Sequence, residues 1–188
     1  FIDLDSDGDL DLVVGEGTLR VYRRDDLGRY TELTGSANPL NGINVGSRGT
    51  PSFADLDGDG DFDLVAGESG GTLRAWRNTG AGFSPLTGAA NPFNGLDVGS
   101  DSAPCFVDFD GDGDIDQILA YGGRSFSILA SDGTMVFDSA DIIERIVATQ
   151  FPAFFDDTRS DNKGPEPEGI EIASIGNKTY ALVGLERS

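Results

Sequence analysis

Three stretches of this chain have the form Asp-x-Asp-x-Asp-Gly-Asp-x-Asp. They place carboxylates at Asp3, Asp5, Asp7, Asp9 and Asp11, at Asp55, Asp57, Asp59, Asp61 and Asp63, and at Asp108, Asp110, Asp112, Asp114 and Asp116. Five carboxylates within nine residues repel one another, so an ordered loop of this composition requires a compensating cation. A donor set made only of oxygens, with high charge and flexible spacing, favours calcium over zinc or copper. The expected cofactor is therefore Ca2+, about three ions per chain, one for each loop.

The helical calcium hand is the first geometry to test. Counting Asp55 as position 1 puts Asp57 and Asp59 at positions 3 and 5 and Gly60 at position 6. Position 12, which in that motif requires a bidentate Glu, is Ala66 here and Val14 and Leu119 in the other loops. The flanks carry no helical period, so the helical hand is rejected. Position 9 (Asp11, Asp63, Asp116) closes the shell instead. Position 7 (Asp9, Asp61, Asp114) is expected to give its backbone carbonyl, with its side chain toward solvent.

The elements that must position these loops recur with them. Asp3, Asp55 and Asp108 are 52 and 53 residues apart, the signature of a repeated unit. The segment Tyr30–Gly46 matches Phe83–Gly99, and Gly17–Arg23 matches Gly71–Arg77, so the first two repeats are an internal duplication. In the second repeat, a strand near Pro51–Asp55 enters the loop and Asp63–Glu68 leaves it. A Gly70-Gly71 turn leads to a strand over Thr72–Asn78, and Phe83–Leu86 forms a fourth before a long Asn/Pro/Gly connection. Four strands in about 50 residues is the arithmetic of a β-propeller blade. A linear β-solenoid is the alternative, although its repeat is usually shorter. The fold class is all-β.

Charge and composition narrow the function. The net charge is −20, but 15 of the 33 acidic residues lie in the three loops, which leaves about −5 elsewhere. The acidity is thus mostly ligand charge, and without a basic surface nucleic-acid binding is excluded. Cys105 is the only cysteine, so no disulfide forms within the segment. It is expected to be a buried small residue. No apolar stretch reaches the length of a membrane span. The chain starts at Phe1, two residues before a loop, and stops at Ser188 just after an apolar run, as a fragment of a longer protein would.

After Gly122-Gly123 the pattern changes. Arg124–Asp138 predicts two strands around an Asp132-Gly133 turn. Asp138 or Ser139 is the expected cap of a helix through about Gln150, with Ile142, Ile143, Ile146 and Val147 at helical spacing, ended by Phe151-Pro152. A polar loop over 156–169 precedes two strands, Ile170–Ile175 and Thr179–Leu185, around Asn177.

The motif Phe-x-Asp-x-Asp-Gly-Asp-Gly-Asp-x-Asp resembles FG-GAP or VCBS-type repeats, the calcium-loop blades of integrin-like propellers and of many bacterial exported proteins. The resemblance covers roughly residues 1–121. It implies that each loop joins and clamps the first two strands of a blade; after Tyr121 the third repeat departs from the pattern. Residues 122–188 resemble the choice-of-anchor I family on Arg124-Ser-Phe-Ser-Ile, Arg159-Ser-Asp-Asn-Lys-Gly-Pro-Glu-Pro-Glu-Gly169 and Tyr180-Ala-Leu-Val-Gly-Leu-Glu-Arg187. That family implies a propeller of bacterial surface and secreted proteins, also found beside phosphatase or nucleotidase modules.

These readings lead to a secreted or cell-surface calcium-binding propeller of bacterial type, serving adhesion or contact with another surface protein or a glycan. The competing reading is part of a phosphoesterase- or phytase-like enzyme, with Arg159 and Lys163 binding phosphate and Glu166 or Glu168 as acid/base or metal ligand. Ion pairing in a Pro-braced loop explains the same residues, and the chain contains no His to serve as a base. A rigid stalk is a third reading. Trp76 and Tyr22 could stack on sugars, but packing between blades is the expected role. Glu186-Arg187 is expected to be an ion pair, and the Asn177-Lys-Thr179 sequon carries little weight.

Overall fold

In a computed structural model, residues 1–98, 101–107, 116–120, 125–130, 134–152, 167–175 and 178–185 are described. The first repeat forms β1 (Leu12–Glu16), β2 (Thr18–Arg24) and β3 (Tyr30–Leu33), a sheet in the order β1-β2-β3. The second forms β4 (Thr50–Ala54), β5 (Asp63–Gly67), β6 (Leu73–Asn78) and β7 (Phe83–Leu86), in the order β4-β5-β6-β7. The third forms β8 (Ala103–Val107), β9 (Asp116–Ala120), β10 (Phe126–Leu129) and β11 (Met135–Asp138), again in chain order. Every neighbouring pair is antiparallel. In the first repeat an Ile2–Asp11 bridge occupies the place of the Ala54–Asp63 pair in the second. Successive antiparallel meanders that adjoin along their inner strands, β1 beside β4 and β4 beside β8, are the architecture of a propeller-type fold.

Two apolar layers separate the three sheets. Leu19, Val21, Leu40 and Val45 of the first repeat meet Leu64, Ala66 and Trp76 of the second. Val65, Leu73, Ala75, Phe93 and Val98 of the second meet Leu129 of the third. Strand β5 is therefore buried along its whole length, with alternate residues serving opposite layers. Trp76 takes the inter-blade role, 9% exposed. Tyr22, at the matching position, is half-buried with the Arg20 guanidinium over its ring.

The long connections contribute to these layers as much as the strands do. Asn38 donates from Nδ2 to the Leu19 carbonyl (3.3 Å) and accepts from the Leu40 amide (2.8 Å). Asn91 repeats this with Leu73 (3.1 Å) and Phe93 (3.0 Å). Each Asn fastens the connection to the third strand of its blade and drives Leu40 or Phe93 into the core. At the inner seam, a Cβ on Gly15 would overlap the Gly49 carbonyl, and one on Gly67 would overlap the Ser102 carbonyl. Glycine is required at both positions because neighbouring blades touch backbone to backbone. Ser102, fully buried, accepts from the Glu68 amide (2.9 Å) and donates to the Thr72 carbonyl (3.0 Å), locking the second sheet to the third.

The structure departs from the sequence expectations in several details. Strand β10 pairs with β9 and β11 with β10, so residues on both sides of the expected division at 121/122 share one sheet. Helix α1 spans Ile142–Gln150, and neither expected cap serves it. The Asp138 carboxylate instead accepts from the Ala140 amide (2.6 Å), and the Ser139 hydroxyl oxygen accepts from the Phe126 amide (2.8 Å). Of the four apolar residues at helical spacing only Val147 is buried. The helix ends at Phe151, whose amide still reaches the Val147 carbonyl, just before Pro152. Cys105 is half-buried, because on β8 the buried position is Pro104. Strand β12 (Pro167–Ile175) starts three residues earlier than expected and pairs with β13 (Lys178–Leu185). The Asp132-Gly133 and Asn177 turns lie outside the described residues.

Candidate metal centres

Each of the first two acidic loops hangs between the first and second strands of its blade. The local scaffold is the same in both. In the second, Asp55 accepts the amides of Gly58 (2.8 Å), Asp59 (3.2 Å) and Gly60 (2.9 Å), which turns the chain tightly around one carboxylate. Asp59 accepts the Asp61 amide (2.9 Å). Asp63 accepts the Leu56 amide (3.1 Å) and the Asn78 amide (2.7 Å), tying the loop to its own start and to β6. The first loop reproduces this with Asp3 on the Asp7 and Gly8 amides, Asp7 on the Asp9 amide, and Asp11 on the Leu4 and Arg24 amides. Gly8 and Gly60 sit at φ +92° and +93°, a left-handed conformation that explains the glycine at position 6.

The carboxylates converge as the spacing requires. One oxygen each from Asp3, Asp5 and Asp7 lie within 4.8 Å of one another, and so do oxygens from Asp55, Asp57 and Asp63. Oxygens about 2.3–2.6 Å from a common centre stand at most about 5 Å apart, so both groups fit the shell of a calcium ion. Between them the two loops use positions 1, 3, 5 and 9. Asp61, at position 7, is exposed as expected. Asp9 is not: its carboxylate pairs with Arg24 from the end of β2. Arg77 binds Asp57 (2.9 Å), and Arg23 approaches Asp5 (3.9 Å). These arginine contacts were not anticipated, although the Gly17–Arg23 and Gly71–Arg77 match placed Arg at the same repeat position.

The electrostatics of the loops are strained in the direction a cation would relieve. Asp63 is 1% exposed, and its burial, with repulsion from Asp57 and Asp59, raises its carboxyl above the ordinary range despite two amide donors. Asp5 is raised by partial desolvation and by Asp7 and Asp11, with Arg23 acting the other way.

The third loop is outside the described residues at Asp108, Asp110, Asp112 and Asp114, and Asp116 is seen as the first residue of β9. Arg159, Lys163, Glu166, Glu186 and Arg187 also lie outside them, and Glu168 falls within β12.

The FG-GAP-like repeat family matches residues 3–66 and 55–119, and the choice-of-anchor I domain matches residues 101–188. The chain belongs to the FG-GAP-like repeat family, with a choice-of-anchor I segment following and overlapping its last repeat. It is 41% identical over 91 residues to Gigasin-3a of Magallana gigas, a match covering 40% of this chain and 32% of that protein. It is 26% identical over 92 residues to the mesenchyme-specific cell surface glycoprotein of Strongylocentrotus purpuratus, covering 37% of this chain and 12% of that protein. The matches thus span about a third or less of either relative's length. No solved structure matches the chain.

Proposed function

We propose that this chain is a calcium-stapled repeat module of an extracellular or cell-surface propeller, serving adhesion or contact with another surface protein or a glycan. The observation that carries the proposal is the convergence of carboxylate oxygens at Asp3/Asp5/Asp7 and at Asp55/Asp57/Asp63 on one loop scaffold used twice. Each ion would neutralise a loop that repels itself and would clamp the first two strands of its blade. Calcium binding and folding are then coupled. The extracellular setting is supported by the two families matched and by a relative named as a cell surface glycoprotein. In the second sheet the loop joins two paired strands, β4 and β5, an arrangement that supports its acting as a staple while the blade faces are left for packing.

A thermal melt in excess calcium and in EDTA, with calorimetric titration, tests the proposal. A site held at 100 times its dissociation constant adds about 2.7 kcal/mol if only the folded state binds. A calcium-dependent rise with about three ions per chain is expected; no shift and no binding heat would overturn it.

A further inference from the structure

We infer that the arginines at the end of the third strand in the first two blades are built-in counter-cations, and that their number makes these two acidic loops fill with calcium in a fixed order. The second loop fills before the first. The inference rests on the loops being calcium sites and concerns how their affinities are set.

Strand register identifies the position. In each sheet the residue after the ninth position of the loop pairs with a third-strand residue: Leu12 with Tyr22, Leu64 with Trp76, and Gln117 with Leu129. The next residue along the third strand is Arg23, Arg77 and Ala130, respectively. Arg77 binds the position-3 carboxylate of its loop, Asp57, at 2.9 Å, and Arg23 approaches the equivalent Asp5 at 3.9 Å. One residue further on, Arg24 adds a second guanidinium on Asp9. In the second repeat that place is held by Asn78, which donates to the Phe62 carbonyl (3.4 Å) and brings no charge. At these register positions the first loop therefore meets two positive charges and the second one; on the third sheet the matching residue is Ala130.

The consequence is electrostatic. A guanidinium beside a ligand carboxylate cancels part of the negative field that draws a dication into the loop. It also repels the ion once bound. In the water-like dielectric of an exposed loop this weakens affinity by about tenfold per guanidinium. In exchange, the arginine partly neutralises the loop without an ion, so the loops richest in arginine depend least on calcium for their order. Ligand charge is the same lever that separates tight from weak calcium loops in general.

Amide hydrogen exchange of the full chain, followed by mass spectrometry through a calcium titration, reads the two loops separately from peptides covering residues 2–11 and 55–63. The second loop's protection midpoint is expected at about tenfold lower calcium than the first's. Arg77→Gln lowers the second loop's midpoint by about tenfold and leaves the first unmoved, whereas Arg77→Lys keeps the wild-type midpoint. Melts in EDTA of Arg77→Gln, Asp57→Asn and the double variant test the contact without any ion, and non-additive shifts are expected. Coincident midpoints, an unmoved second loop in Arg77→Gln, or additive shifts in EDTA would each overturn this inference while leaving the loops as calcium sites. Absence of calcium-dependent protection in both wild type and Arg77→Gln would overturn the calcium assignment as well.

Discussion

The first and second repeats carry nearly the same residues, yet the second is packed on both faces and the first on one. Ala66 is fully buried while Val14, its counterpart after the first loop, is 37% exposed. Trp76 lies in the layer between the first two sheets, whereas Tyr22 stands half-buried under Arg20. The loops themselves do not differ in this way, since Asp11 and Asp63 are each 1% exposed and each accept two backbone amides. A propeller loop is thus a local object, specified by its own nine residues and one strand beside it. A blade's face is not local, because its burial depends on which neighbour it meets.

Substitutions at matched positions sharpen this contrast. The largest difference is expected between Trp76→Ala and Tyr22→Ala. The first empties a buried site shared by two blades and should cost about 3–5 kcal/mol. The second removes a half-exposed ring and should cost about 1 kcal/mol. Urea melts of both variants measure the pair, and equal losses would break the distinction between the two faces. Next in size is Gly67→Ala, which forces a methyl group into the Ser102 carbonyl and should cost about 1–3 kcal/mol. Gly15→Ala, against Gly49, should lose a similar amount, because the inner seam is the same at both junctions.

Smaller effects separate the loops and turns. Ser6 adopts φ +60°, where the second loop has Gly58 at φ +74°. Ser6→Gly is expected to stabilise by about 1 kcal/mol and Gly58→Ser to destabilise by a similar amount, both read from melts in EDTA. The smallest effect belongs to the turn after the third strand. In the first repeat Asp25 accepts the Leu27 and Arg29 amides (3.0 and 2.9 Å) and the Arg29 guanidinium (3.0 Å); in the second, Thr79 and Gly82 close the turn without charge. The Arg29 backbone and side-chain donors hold the Asp25 carboxyl below its ordinary range. Its contribution is therefore complete above the unfolded pKa and is lost as pH falls through the lower, folded value. Asp25→Asn should flatten the acid limb of the stability–pH curve slightly, and an unchanged limb would show that the exposed turn contributes nothing.

Much of this was legible in the residues. Alternating strand text and turn glycines located the four strands of the second repeat to within a residue or so, because period-2 patterning and φ-positive turns are local constraints. In the first two loops the Asp-x-Asp-x-Asp-Gly pattern placed its carboxylates around common points because backbone amides wrap the first Asp. Other features were hidden for a physical reason. Asn38 and Asn91 read as turn residues, but each is a side-chain staple to a strand 18 or 19 residues earlier. Ser139 looked like a helix cap, but a strand amide from Phe126 takes its hydroxyl. The Arg77–Asp57 pair joins residues on separate strands and depended on register.

By itself the sequence determined the repeat, the strand text, the acidic motifs and the glycine that lets the first two loops turn, since all of these depend on neighbours within about ten residues. Only the tertiary structure decided which faces are buried, that β10 and β11 complete the third sheet, and which arginine meets which carboxylate. Those outcomes depend on register and on the blade next door. No stretch of sequence contains that information until the chain has folded.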